Sequence, residues 1–116
     1  MKIGRQAIAD IKVVNDDKID NIKYIEKLMD ETVKEANLHV VDKIIYKFKP
    51  IGISAVYILA ESHFTLHTWP EKNYVAVDIF TCGETINPSK ACEIISKKFN
   101  SKEYNIKEIE RCNNEL

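Results

Sequence analysis

The sequence predicts an α+β fold, a two-layer sandwich in which an antiparallel β-sheet carries two helices on one face. Three observations lead there. Short segments alternate apolar and polar residues with period two and are joined by tight polar turns, as sequential antiparallel strands are. Only two stretches show helical spacing, and each is amphipathic, so each buries one side. Strands in runs, with amphipathic helices to cover them, assemble as a sheet layer and a helix layer sharing one core.

The elements follow in order. Gln6 to Val14 alternates, with Ala7, Ala9, Ile11 and Val13 on one side, and reads as a strand. The polar turn Asn15-Asp16-Asp17 supplies helix-capping side chains. From Lys18 to Ala36, Ile22, Ile25, Met29, Val33 and Ala36 recur at spacings of three and four and make one buried stripe. Val40 to Phe48 is β-branched and aromatic and closes at Pro50; Gly52 marks a turn, and Ile53 to Ala60 returns as the second arm of a hairpin. His63 to Thr68 alternates, Trp69 to Asn73 turns, and Tyr74 to Cys82 puts Val75, Val77, Ile79 and Thr81 on one face. Asn87 with Pro88 behind it opens a second helix, whose apolar side is Ala91, Cys92, Ile94, Ile95 and Phe99, stopped by Asn100. Tyr104 to Ile109 reads as a last strand, and Arg111 to Leu116 as a fraying polar tail. A small sheet with one bare face calls for another chain against it.

Composition narrows the function classes. The 116 residues suit a single domain, 1–116, with no linker or internal repeat. Seventeen Lys and Arg against eighteen Asp and Glu give a net charge of −1, which argues against nucleic acid as a partner. The longest apolar run, Ala55 to Ala60, is far short of a membrane span. The start, MKIGRQAIAD, lacks the apolar stretch of a secretory signal, and Cys82, Cys92 and Cys112 are an odd set that makes no disulfide framework. A reduced, cytoplasmic protein is expected. A chain of this size buries only about two-thirds of its unfolded surface, a second reason to expect a partner chain.

Polar residues concentrate between Ser54 and Cys82, inside otherwise apolar strands. A zinc site would need His63, His67 and Cys82, but on a strand residues four apart lie roughly 13 Å from each other. The flanks favour strand, so no metal is expected. A serine hydrolase would need a nucleophile elbow, and Gly52-Ile53-Ser54-Ala55-Val56 lacks its second glycine. A cysteine hydrolase built on Cys82 and His67 remains open in principle, although a buried structural Cys is commoner.

The segment GISAVYILAESHFTLHTWPEKNYVAVDIFTCG, residues 52–83, resembles the small prokaryotic S-adenosylmethionine decarboxylases, pyruvoyl-dependent enzymes of polyamine biosynthesis. The likeness is dense at Glu61-Ser62-His63, at His67-Thr68-Trp69-Pro70-Glu71 and at Phe80-Thr81-Cys82-Gly83, and looser at Gly4-Arg5 and Asn87-Pro88. It covers nearly the whole chain except the C-terminal tail.

The resemblance implies a proenzyme that cuts itself between Glu61 and Ser62 into a β chain, 1–61, and an α chain, 62–116. Ser62 would attack the Glu61 carbonyl, turning the amide into an ester; loss of the Ser62 α-proton would then expel the carboxylate and leave a pyruvoyl group. Ser54 matches the hydroxyl that stabilises the oxyanion of processing, and His67 the base. Backbone strain at the bond would assist. In the mature enzyme the pyruvoyl group would form a Schiff base with the amine of S-adenosylmethionine and act as electron sink. Cys82 matches the proton donor to the product carbon. Phe48 and Glu71 sit where the family places an aromatic face for adenine and a carboxylate for the ribose. The product would serve spermidine synthesis.

Each residue also has a plainer reading: Ser54 as filler, His67 as a satisfied strand histidine, Phe48 as core, Glu71 as a solvated turn charge, Cys92 and Cys112 as inert thiols. Trp69-Pro70 fixes a turn, and Asp78 satisfies backbone donors. Two other functions keep the fold: an arginine or ornithine decarboxylase with the same pyruvoyl chemistry, and an inactive binding or regulatory homologue. Geometry adds a constraint. Ser62 and His67 are five apart, so in a straight strand they face opposite ways, roughly 16 Å from each other. Either the strand bends or His67 comes from a second chain, which predicts a homodimer (a dimer of αβ heterodimers after cleavage) with interface active sites.

Overall fold

Six strands form one sheet in the order β2-β3-β4-β5-β1-β6, and every neighbouring pair is antiparallel. In the computed structural model, which describes residues 3–14, 17–83 and 86–112, these are β1 (Gly4–Lys12), β2 (Val40–Lys47), β3 (Ile53–Leu59), β4 (Ser62–Trp69), β5 (Tyr74–Cys82) and β6 (Glu103–Arg111). Among the described residues the other elements are two helices, α1 (Ile22–Glu35) and α2 (Pro88–Lys98), and 3-10 turns at Asp17–Asp20 and Pro70–Lys72. The α+β two-layer architecture is the one the sequence predicts. No helix among the described residues is long and apolar enough to cross a membrane.

Alternation decides which face is covered. Ala7, Ala9 and Ile11 of β1, Ala55 and Tyr57 of β3, Phe64 and Leu66 of β4, and Val75, Val77 and Ile79 of β5 are all buried. Register puts them on one face, because residues directly opposite in an antiparallel pair share a side. Ile25, Leu28, Met29 and Val33 of α1 and Ala91, Cys92 and Ile95 of α2 close over them. Tyr57 and Phe64 meet edge to face at 5.9 Å in this core. Buried hydroxyls are satisfied locally: Thr32 donates to Leu28 O at 2.7 Å and Ser96 to Cys92 O at 2.8 Å.

The first helix starts later than its periodicity suggests. Asp17–Asp20 is a 3-10 turn, and the Asn21 side chain accepts from the Tyr24 N–H to open α1 at Ile22. The stripe therefore runs through Ile25, Leu28, Met29, Thr32 and Val33, and Ile22 is exposed rather than buried. The expected turn cap at Asn15-Asp16 and the tail beyond Cys112 lie outside the described residues. The second helix begins as predicted, with Asn87 accepting from the N–H groups of Ser89 and Lys90 and Pro88 in the first turn. β1 lies two residues earlier than its alternation suggested and β6 two residues further on at its end.

The other face of the sheet is bare. Ile8, Ile44, Tyr46, Val56, Ile58 and Ile109 stand on it, each at least 39% exposed. The candidate site residues Ser54, His67 and Cys82 occupy this same face by register.

Candidate active site

The structure sorts the candidate residues into two clusters. In the first, Ser54 of β3 and His67 of β4 are register partners, and Ser54 Oγ and His67 Nδ1 share a hydrogen bond of 2.7 Å. Antiparallel pairing places both side chains on the bare face, which is why residues thirteen apart in sequence meet. Beside them opens a cleft of about 390 Å³ whose lining includes Phe48, Ser54, His67, Trp69 and Glu71.

Local structure holds the walls of that cleft. Phe48 ends the β2 arm, and its N–H donates to Gly52 O at 2.8 Å. The Gly52 N–H donates in turn to Asp20 Oδ1 at 2.7 Å, and Lys47 Nζ lies 3.1 Å from the same carboxylate. Gly52 has φ +111, a conformation that side chains resist. Thr68 Oγ1 accepts from the Ile53 N–H at 2.9 Å, fastening β4 to the start of β3. Glu71 stands on the 3-10 turn Pro70–Lys72, closed by Asn73 at φ +52. Trp69, read from sequence only as a turn residue, is the last residue of β4 and lines the cleft, its ring 6.2 Å from that of His67. Asp20 had no sequence signal, because its partners are the distant Lys47 and Gly52.

The second cluster lies at the other end of β4. Leu59 and Ser62 are partners across the β3–β4 turn, so Ala60 and Glu61 alone make the hairpin loop. Two-residue hairpins favour turns with positive φ at their central residues, hence Asn and Gly. Neither Ala60 nor Glu61 has positive φ; instead Ser62 takes φ +148. A non-glycine residue in that region stores of order 1–3 kcal/mol of strain. The Glu61 carbonyl oxygen accepts from the Cys82 N–H at 2.8 Å. The Cys82 side chain is an exposed free thiol at the end of β5, next to Thr81, the partner of Ser62.

The Glu61 side chain is tied as well. His39 donates its main-chain N–H to Glu61 Oε1 at 3.0 Å, and His39 Nδ1 sits 2.6 Å from Oε2. Burial pushes this carboxyl up, but the His39 ring and the N–H groups of His39 and Glu61 outweigh it and hold the pKa below the ordinary value. Gly4 underlies the cluster: a Cβ there would come within 2.3 Å of Thr81 O. Only glycine lets β1 approach the end of β5 so closely.

The two clusters do not meet within one chain. β4 pairs without a register shift on both sides from Ser62 to His67, so it does not bend, and the span is roughly 16 Å. Ser62 shares the register side of buried Leu59 and Phe64, whereas His67 shares that of Ser54. Of the two ways to join Ser62 to His67, the sharply bent strand is excluded. A Cys82–His67 pair within one chain fails too: His67 faces Ala76, and Cys82 is six residues, roughly 20 Å, further along β5.

Two smaller expectations change. Asp78 accepts from the Gln6 side chain at 2.9 Å and lies 3.8 Å from His63 Nε2, rather than serving backbone donors. Cys92 is buried as expected, with its thiol pushed up to about 12 by burial and then by Asp78 and Glu108. Cys112 is only half-buried.

The arrangement offers a strained peptide whose carbonyl is hydrogen-bonded, an exposed thiol at the end of β5 and, on a separate patch, a hydroxyl–imidazole pair beside an aromatic cleft. The family model described as S-adenosylmethionine decarboxylase matches residues 5–112. The S-adenosylmethionine decarboxylase proenzyme of Clostridium kluyveri is 44% identical over 95% of this chain and 87% of its own. That of Moorella thermoacetica is 38% identical over 94% of this chain and 87% of its own. The crystal structure of the adenosylmethionine decarboxylase of Aquifex aeolicus superposes with a TM-score of 0.86 at 36% identity, covering 95% of this chain and 91% of that one. With its fold, its strained Glu61–Ser62 peptide and these likenesses agreeing, the chain belongs to the S-adenosylmethionine decarboxylase family.

Proposed function

We propose that this chain is a proenzyme that cuts itself between Glu61 and Ser62 and then decarboxylates S-adenosylmethionine, and that each working site is composed from two copies of the chain. The observation that carries the reading is the Glu61–Ser62 peptide itself, strained at Ser62 and hydrogen-bonded through its carbonyl to the Cys82 N–H.

Processing begins when Ser62 Oγ attacks the Glu61 carbonyl carbon. The new C–O bond makes an ester as the C–N bond breaks, and the hydroxyl proton passes to the freed nitrogen. The Cys82 N–H already faces the oxygen that gains charge, as an oxyanion donor must. Relief of the Ser62 backbone strain favours the same step. A base then takes the Ser62 α-proton and expels the Glu61 carboxylate; hydration of the dehydroalanine left behind releases ammonia and leaves the pyruvoyl group. His67 suits the role of base, since a neutral imidazole has a ring nitrogen free to accept a proton and Ser54 orients the ring.

The surroundings of Ser62 fit such a group: Ser62 heads a strand, and Cys82, whose N–H holds the Glu61 carbonyl, follows its register partner Thr81. When present, the pyruvoyl group supplies an electron sink for loss of carbon dioxide from the substrate amine. Cys82 Sγ is the donor that returns a proton to the product carbon. Phe48 and Trp69 offer flat faces for adenine, and Glu71 an acceptor for the ribose hydroxyls. An adenosine-binding cleft of this kind favours S-adenosylmethionine over arginine or ornithine, and the product would feed spermidine synthesis.

His67, Ser54, Phe48 and Glu71 can serve Ser62 only from another copy. A two-fold pairing of the bare faces would bury the apolar residues on them and bring the cleft of each copy to the Cys82 end of the other, where the Glu61–Ser62 peptide lies, making two identical sites. Three free cysteines agree with a reducing, cytoplasmic setting.

Intact mass is the direct test: chains of 1–61 and 62–116, the second with a blocked N-terminus, are expected, and an undivided chain after long incubation refutes the reading. Release of carbon dioxide from S-adenosylmethionine, and not from arginine or ornithine, fixes the substrate. For the composite site, differently tagged Ser62→Ala and His67→Ala chains are co-expressed. The His67→Ala chain should be cut in the mixture and not alone; if it stays whole in both, the two-copy arrangement is wrong.

A further inference from the structure

We propose that His39 is a positioning residue for self-cleavage, holding the Glu61 side chain so that the scissile carbonyl stays on the Cys82 N–H and the strain stays on Ser62. This rests on the reading that the chain divides at Glu61–Ser62.

The leaving group of that cleavage is the main-chain carboxylate of residue 61, whatever the side chain. Yet the Glu61 side chain is only 14% exposed and both its oxygens are engaged, one by the His39 N–H at 3.0 Å and one by the His39 ring at 2.6 Å. His39 also uses its carbonyl, which accepts from the Ala60 N–H at 2.8 Å. One residue, twenty-two positions earlier and just ahead of β2, thus makes three hydrogen bonds to the two loop residues. On the opposite side Cys82 makes the fourth, to the Glu61 carbonyl.

The loop needs such ties. Ala60 and Glu61 are not residues that favour a two-residue hairpin turn, and they lack the positive φ that matches the twist of the strands. Left to itself, the turn would relax and let φ of Ser62 return to the ordinary extended range. Strain of this kind persists only where the surroundings over-determine it. His39 from the β2 side and Cys82 from the β5 side are those surroundings. Of the two, only His39 grips through a side chain, so only it can be removed by substitution without touching the strand ladder.

Cell-free synthesis of the full chain, followed by gel and intact mass, reads the rate of division directly. His39→Ala should slow it about tenfold or more, the loss of the one ring hydrogen bond to a charged group while both main-chain bonds of residue 39 remain. His39→Asn keeps an N–H donor where Nδ1 stands and should divide within about threefold of the wild type, while His39→Gln, whose amide reaches past that point, should be slow like His39→Ala. The step affected is ester formation, so His39→Ala chains should not accumulate a form that hydroxylamine cleaves at Glu61. Wild-type speed in His39→Ala, equal rates for the Asn and Gln variants, or build-up of the hydroxylamine-sensitive form would each overturn the assignment. If His39→Ala does not fold by circular dichroism, the Asn and Gln comparison decides alone. A wild-type chain that never divides would instead overturn the cleavage reading, which that control keeps separate.

Discussion

The main-chain N–H of Cys82 points at the carbonyl oxygen of Glu61 from 2.8 Å, so one residue can serve two reactions with two different groups. In the proposed reactions its amide would act on the Glu61–Ser62 peptide and its thiol on the substrate afterwards. The two roles are separable. Cys82→Ala keeps the amide and should divide at close to the wild-type rate, while decarboxylation falls by about 10²- to 10⁴-fold, the usual loss on removing a proton donor. Gel analysis and carbon dioxide release measure the two; loss of both together would contradict the separation.

Gly4 protects the amide role. Gly4→Ala would place a Cβ 2.3 Å from Thr81 O, forcing the end of β5 away from β1 and moving the Cys82 N–H off the Glu61 carbonyl. Processing should slow by about 10²- to 10³-fold, the range for losing one oxyanion donor. The overpacking should also cost about 1–3 kcal/mol of stability, read from urea unfolding.

The cleft should govern substrate affinity and leave chain division alone. Phe48→Ala removes an aromatic face worth about 1–3 kcal/mol to a stacked base, so KM for S-adenosylmethionine should rise by about 5- to 150-fold with little change in the extent of cleavage. Glu71→Gln should raise KM as well. An unchanged KM in both would remove adenosine from the cleft.

Acid should loosen the loop. The Glu61 carboxyl is held below its ordinary 4.5. Its ionised form therefore adds stability that is fully present above pH 4.5 and is lost as pH falls through the lower folded value. Carbon-13 labelled Glu, followed by NMR in a Ser62→Ala chain that cannot divide, should show one carboxyl titrating below the rest. His39→Ala in the same chain should return it towards the ordinary range.

The thiols should differ sharply in reactivity. Cys92 is buried, with its pKa pushed up to about 12, and Cys82 is exposed. Iodoacetamide at pH 8 should modify Cys82 in the folded protein and leave Cys92 untouched until denaturant is added, as peptide mapping would show.

Much of this was legible without coordinates. Alternation through β1, β4 and β5 marks both the strands and their buried side, because side-chain period two is a local property of the chain. The start of α2 was equally plain, since Asn87 and Pro88 act on the turn they belong to. The start of α1 was missed by several residues because apolar spacing continues through Lys18–Asp20 while the backbone there is a 3-10 turn. The candidate residues were found by likeness along one continuous segment, and five-residue spacing alone already set Ser62 and His67 apart.

Order along the chain, then, determined the strands, the two helices, the face that would stay bare and the residues with reactive groups. Tertiary structure decided what those residues touch. The tie from His39 to Glu61, the Cys82 amide on the Glu61 carbonyl, the Asp20 brace on Gly52 and the place of Trp69 in the cleft all join positions brought together by folding. Strand pairing sets contacts by register across the sheet, and register depends on every turn between the strands, so no local pattern in the sequence encodes it.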